Sequence, residues 1–192
     1  MKPALLLALL VSLSPQTRAE TASALFAGGC FWCMESAYQE LPGVSEVVSG
    51  FSGGSVPNPT YKGNHEGHYE AVQVTYDPAK VSYKELLEFY WLNVDPFDDG
   101  GQFCDRGPSY RSAVFPGNAE ELALVKQSKA AVEDKFPDQV IYTEVLPATA
   151  FWPVEEGHQD YYLKNPVRYN YYRWACGRNQ RLEAIWGIAP VH

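Results

Sequence analysis

The run Gly28-Gly29-Cys30-Phe31-Trp32-Cys33 constrains this chain more than any other feature. Ala24 to Ala27 reads as a short buried strand, and the two glycines after it permit a sharp turn. Phe31 to Leu41 then reads as a helix closed by Pro42-Gly43. Cys30 therefore lands where a helix begins. Unpaired backbone N–H groups and the helix dipole favour an anion there, so its thiolate is expected to be stabilised relative to a free cysteine of pKa ~8.5. An exposed thiolate is a nucleophile and oxidises to a sulfenic acid. Cys33 falls on the same face of the first turn, within the roughly 4.4–6.8 Å Cα separation that a disulfide spans. The CxxC spacing points to a redox pair rather than a staple.

Beyond that turn the chain alternates strand-like and helix-like segments. Val44 to Phe51 reads as a strand, Gly53-Gly54 with Pro57 and Pro59 as a loop, and Tyr69 to Tyr76 as a half-buried strand in which Val72 and Val74 alternate with Gln73 and Thr75. Ser82 and Glu85 form a capping box before a helix carrying Leu86, Leu87, Tyr90 and Trp91. Asn93 to Arg111 is a long loop of the kind usually retained for function. Ser112 to Phe115 is a strand, Asn118 caps a helix to about Lys135, and Val140 to Val145 is a further strand. The last forty residues look aromatic and irregular, with a short helix near Asn179 to Ile185. Strands separated by two long helices predict an α+β two-layer sandwich. The expected form is a ferredoxin-like core followed by a long irregular C-terminal tail.

The N-terminus predicts export. Lys2, the apolar run Ala4 to Leu13 and the small-x-small site Thr17-Arg18-Ala19 resemble a cleavable signal peptide over residues 1–19, leaving one domain over 20–192. The apolar run is too short to cross a bilayer of ~30 Å as a helix, so no membrane span is expected. Removing residues 1–19 takes away Lys2 and Arg18 and no acid, moving the formal charge from −8 to −10. That balance disfavours nucleic acid, whose binding rests on neutralised phosphates. A periplasmic or secreted monomer is the expected form, and its four cysteines, Cys30, Cys33, Cys104 and Cys176, would sit in a disulfide-permissive compartment. One CxxC with two scattered cysteines lacks the second close pair of a zinc ribbon, so no metal site is expected.

Gly29-Cys30-Phe31-Trp32-Cys33-Met34-Glu35 resembles the GCFW signature of the peptide methionine sulfoxide reductase A family, in its variant with cysteine after the tryptophan. Further motifs match in order: Asn58-Pro59-Thr60-Tyr61, Gly67-His68-Tyr69-Glu70, Tyr76-Asp77-Pro78, Gln102 to Gly107, Tyr110-Arg111-Ser112 and His158 to Tyr162. The similarity runs from about Ala24 to Trp186.

The resemblance implies that Cys30 attacks the sulfur of a methionine sulfoxide, free or in protein. A sulfoxide is a poor electrophile until its oxygen is protonated, which calls for a carboxyl kept neutral by burial. Glu70, on an apolar strand, matches the family's catalytic acid. Tyr61 and Tyr110 match hydroxyl donors to the same oxygen, Asp105 a substrate-site acid, and Phe31 and Trp32 the apolar wall for the methyl group. A second thiol then closes a disulfide on Cys30, and a thioredoxin-like or other dithiol reductant restores the enzyme without any bound cofactor. Cys33 is the expected resolving thiol, since an i+3 partner needs little loop closure. Cys176 is the alternative, or it forms a structural bridge with Cys104. The resemblance implies the S epimer. A thioredoxin-like dithiol oxidoreductase acting on protein disulfides is the competing function. His158 stands outside the expected catalytic set.

Overall fold

The structure is a computed structural model and describes residues 21–187. The leader expected over residues 1–19 lies outside the described residues. In chain order the main elements are β1 (Ala22–Gly28), α1 (Phe31–Gln39), β2 (Val44–Ser52), β3 (Tyr69–Tyr76), α2 (Tyr83–Leu92), β4 (Gly101–Gln102), β5 (Asp105–Arg106), β6 (Ser112–Val114), α3 (Ala119–Lys135), β7 (Glu144–Val145), β8 (Trp152–Pro153), α4 (Tyr161–Lys164), α5 (Pro166–Ala175) and α6 (Arg178–Trp186). The class is α+β, as the segment pattern predicts.

Six strands form one sheet in the order β7-β6-β1-β3-β2-β8. Its pairs are antiparallel except β6 with β7. Period-2 alternation divides each strand between two faces. Ala24, Phe26, Val72, Val74 and Val114 point into the larger core, which takes in residues of α1, α2 and α3. Leu25, Ala27, Ala71 and Ala113 point the other way into a smaller cluster, against Leu146 and Phe151. Phe26 and Val72 are register partners and both fully buried, so the two central strands anchor the core. Each large apolar side chain buried this way contributes about 1.5–3 kcal/mol.

Local chemistry fixes the helix starts. Ser82 Oγ accepts from Glu85 N at 3.2 Å while Glu85 Oε2 accepts from Ser82 N at 2.7 Å, completing the expected capping box. Asn118 Oδ1 accepts from Glu121 N at 2.9 Å at the head of α3. Gly29 is required at the turn into α1. Its φ is +81°, and a Cβ there would lie 2.5 Å from Gln102 Cβ.

Three segments differ from expectation. The loop after α2 contains a small hairpin, β4 with β5, and a 3₁₀ turn at Pro108–Tyr110. Only Glu144–Val145 of the expected strand from Val140 joins the sheet. The C-terminal region is largely helical rather than irregular. Pro166 presets the first turn of α5, Gly177 (φ 63°) separates α5 from α6, and Gly187 (φ 74°) terminates α6. Its helical period is masked because α5 turns Val167, Tyr171 and Trp174 outward and buries Tyr169 and Arg173. Among the described residues no helix is long and apolar enough to cross a membrane.

Candidate active site

Cys30 is the N-cap of α1, and its carbonyl accepts from Cys33 N at 3.1 Å and Met34 N at 3.3 Å. Glu70 reaches the same helix start from β3. Its Oε2 accepts the Phe31 backbone N–H at 3.0 Å. Phe51 on β2 is the register partner of Glu70, and its ring lies 5.9 Å from that of Phe31. The strand–turn–helix unit thus places a thiol, a carboxyl and an aromatic wall together.

These groups line a cavity of about 260 Å³. Cys30, Phe31, Trp32, Glu70, Tyr61, Asp105 and Tyr110 all border it, although they come from separate parts of the chain. Tyr161, Arg168 and Tyr172 complete the wall and were not foreseen. Tyr161 stacks on Trp32 with ring centroids 3.8 Å apart, and it falls within the His158 to Tyr162 motif, which is the signal that could have found it. Tyr172 has no such signal. Its hydroxyl donates to Asp105, and its side chain lies against Cys30 in the cavity wall. A larger cavity of about 650 Å³ lies against β2 and α4 and has no cysteine in its lining.

Burial dominates the electrostatics. The Glu70 carboxyl is pushed up to about 8 by desolvation, only partly offset by the Phe31 N–H and the Tyr110 hydroxyl. It is therefore largely protonated near neutral pH. Burial, with Glu70 as the next contributor, raises the Tyr61 phenol to about 12 and raises Tyr110 likewise, so both stay O–H donors. Burial also raises Asp105 against the opposing bond from Tyr172. Burial lowers His158, which is packed 4.0 Å from the Tyr61 ring and stacked on Trp32 at 5.7 Å.

One expectation is overturned. Cys30 is only 5% exposed, and its thiol is raised well above the ordinary value, chiefly by desolvation, despite its place at the helix start. Cys33, 1% exposed, is the lowered thiol, to about 6, chiefly because Cys30 donates a hydrogen bond to it. Arg178 and Arg173 lower it further. Helix-terminus stabilisation is an effect of at most ~2 kcal/mol, and full desolvation outweighs it.

The other two cysteines are joined. Cys104 and Cys176 form a disulfide across 72 residues with Cα atoms 4.9 Å apart, leaving Cys30 and Cys33 as free thiols. Asp105 adjoins this bridge and bonds Tyr172, so the bridge borders the cavity wall. Cys104, Asp105 and Cys176 also present ligand atoms within 4.8 Å of one another, but both sulfurs are committed to the bridge.

Residues 22–189 match the family model described as peptide methionine sulfoxide reductase. The peptide methionine sulfoxide reductase MsrA 2 of Caulobacter vibrioides is 49% identical over 185 residues, covering 94% of each chain. MsrA of Bacillus licheniformis is 48% identical over 169 residues, 85% of this chain and 93% of that one. The solved structure of methionine sulfoxide reductase A of Corynebacterium diphtheriae superposes with a TM-score of 0.70 at 32% identity, covering 79% of this chain and 78% of the other. The geometry and these similarities agree: the chain belongs to the peptide methionine sulfoxide reductase family.

Proposed function

We propose that this protein reduces methionine sulfoxide, free or within proteins, to methionine, with the S epimer as substrate. The observation that carries the reading is the meeting of the Cys30 thiol and the neutral Glu70 carboxyl in one aromatic cavity of about 260 Å³. Phe31 and Trp32 receive the methyl group, a fitting surface for methyl and sulfur contacts. Glu70 donates its proton to the sulfoxide oxygen, aided by the Tyr61 and Tyr110 hydroxyls. Cys30 attacks the sulfur and its own proton passes to Cys33. The oxygen ends on Cys30 as a sulfenic acid, and methionine leaves.

Cys33 next attacks the Cys30 sulfur. The S–S bond forms, the S–O bond breaks, and the hydroxyl departs as water with the Cys33 proton. A thioredoxin-like or other external dithiol reduces the Cys30–Cys33 disulfide and is itself oxidised. Cys176 is a poorer resolving thiol because it is bridged to Cys104. The neutral Glu70 carboxyl and the Tyr61 and Tyr110 hydroxyls have no task in dithiol–disulfide exchange, which favours a sulfoxide over a protein disulfide as substrate.

Two broader readings accompany this. The order β6-β1-β3-β2, with α1 and α2 in the connections, supports a ferredoxin-like core within the six-stranded sheet. The signal-like pattern of residues 1–19 and the Cys104–Cys176 bridge support an exported enzyme that repairs proteins in an oxidising compartment. The functional test is turnover of the separated sulfoxide epimers by wild type and Cys30→Ser. Wild type should turn over the S epimer alone and Cys30→Ser neither; retained activity in Cys30→Ser would overturn the proposal.

A further inference from the structure

Two buried cations remain unaccounted for by the site as described. Arg173 and Arg178 are 5% and 2% exposed, and neither has a carboxylate within ion-pair distance among the described residues. Arg178 donates to Asn93 O at 2.6 Å, to Gly28 O at 3.4 Å and to Met34 Sδ at 3.3 Å, with its guanidinium 4.4 Å from the Phe103 ring centroid. Arg173 donates to Asn179 Oδ1 at 3.0 Å and to the Tyr169 hydroxyl at 3.4 Å, and its Nη2 has no partner. All of these acceptors are neutral. A buried charge without a counter-ion is strongly unfavourable, so an anion should stand nearby.

Its location follows from the packing. Met34, touched by Arg178, directly follows Cys33 in the chain, and Tyr169, touched by Arg173, packs in one cluster with Cys30 and Cys33. The groups around Cys33 are Cys30 at the head of α1, Glu70 on β3, Asp105 on β5, Tyr169, Tyr172 and Arg173 on α5, and Arg178 on α6. Of these, Glu70 is protonated near neutral pH, and Asp105, to which Tyr172 donates, stands beside Arg178 and supplies part of that arginine's counter-charge.

We propose that the thiol pair supplies the remaining counter-charge, that of Arg173 above all, and that Arg173 and Arg178 are positioning residues that hold one negative charge on Cys33. The lowered Cys33 thiol agrees with this geometry. The arginines keep the proton that Cys33 receives from Cys30 weakly bound, so that it is lost readily as Cys33 attacks the sulfenic acid. They also favour the reduced, anionic pair over the uncharged disulfide, which makes the oxidised enzyme easier for an external dithiol to reduce. The mechanistic consequence rests on the reading of Cys33 as resolving thiol, whereas the charge assignment does not.

The test is a titration of the pair by thiolate ultraviolet absorbance in the folded protein with Cys104–Cys176 intact. The neighbouring Tyr169 and Tyr172 phenols are raised and do not ionise in the same range. Wild type should show one thiolate appearing near about 6. Arg173→Met should shift that step upward by about one pH unit, a tenfold weaker hold on the thiolate, and Arg173→Lys should restore it. The pH profile of disulfide closure after one equivalent of sulfoxide should shift by the same amount. Arg173 is the site of choice because Arg178, through Gly28 and Asn93, also ties α6 to β1 and to the end of α2. An unshifted titration in Arg173→Met would overturn the proposal, as would a low step that survives Cys33→Ser. A wild type that titrates as stated yet reduces no sulfoxide would support the charge assignment and count against the proposed function alone.

Discussion

The molecule carries two cysteine pairs built on opposite principles. Cys30 and Cys33 are three residues apart, buried at the head of α1, and share their surroundings with two carboxyls, Glu70 and Asp105, the Tyr169 and Tyr172 phenols and two arginines. Cys104 and Cys176 are 72 residues apart and tie the hairpin loop to the end of α5, with Cys104 exposed. Closing the short pair gains little chain entropy, so a disulfide there is free to form and break with the chemistry. Closing the long loop removes about 4 kcal/mol of unfolded-chain entropy, a structural contribution. Sequence separation and local charge, rather than the cysteines themselves, set the two pairs apart, and the proposed function gives turnover to the first and the cavity wall to the second.

The sharpest way to break that division is to remove the acid that only the buried pair possesses. Glu70→Gln should lower the rate of methionine release by about 10²–10⁴-fold, the usual worth of a positioned general acid. Stopped-flow measurement of one turnover checks this. Because the Glu70 carboxyl is raised to about 8, its acid form is present below that pH and is lost above it. Wild-type turnover should therefore fall about tenfold per unit beyond that point. A profile flat to pH 10 would remove Glu70 from the role.

The second pair should respond in the other currency. Cys104→Ser or Cys176→Ser should cost about 2–5 kcal/mol of stability. The first turnover should still end in a Cys30–Cys33 disulfide, with any loss of rate traced to a loosened Asp105–Tyr172 contact. Denaturant unfolding and product mapping together decide it. A variant of undiminished stability that fails to recycle would make the second bridge part of the electron path and dissolve the comparison.

What could be read from the chain follows the same boundary. Strand β3 has the bounds that its alternation predicts, the capping box forms as Ser82 and Glu85 require, and Cys30 stands at the helix start that Gly28-Gly29 implies. These are local consequences of period, caps and turns. The seven residues expected around the substrate also converge, but composition and period alone could not have brought Tyr61, Asp105 and Tyr110 to Glu70; the ordered motifs did. The C-terminal helices were illegible because they expose apolar residues, Val167 at 85%, and bury Arg173 and Arg178, the reverse of the pattern a periodicity reading relies on. The ionisation of Cys30 was misjudged for a related reason. The helix start is visible in sequence, whereas the degree of burial that outweighs it depends on α5, folded back from more than a hundred residues away.

The central claim is that Cys30 takes the oxygen and Cys33 removes it. The most direct measurement is the mass of the protein and its peptides after one equivalent of methionine sulfoxide, in wild type and in Cys33→Ser. Wild type should release one methionine per chain and yield a Cys30–Cys33 disulfide beside an unchanged Cys104–Cys176 bridge. Cys33→Ser should release the same methionine and hold one added oxygen on Cys30. Methionine release with no oxygen on Cys30, or a Cys30–Cys176 bridge in wild type, would contradict the account.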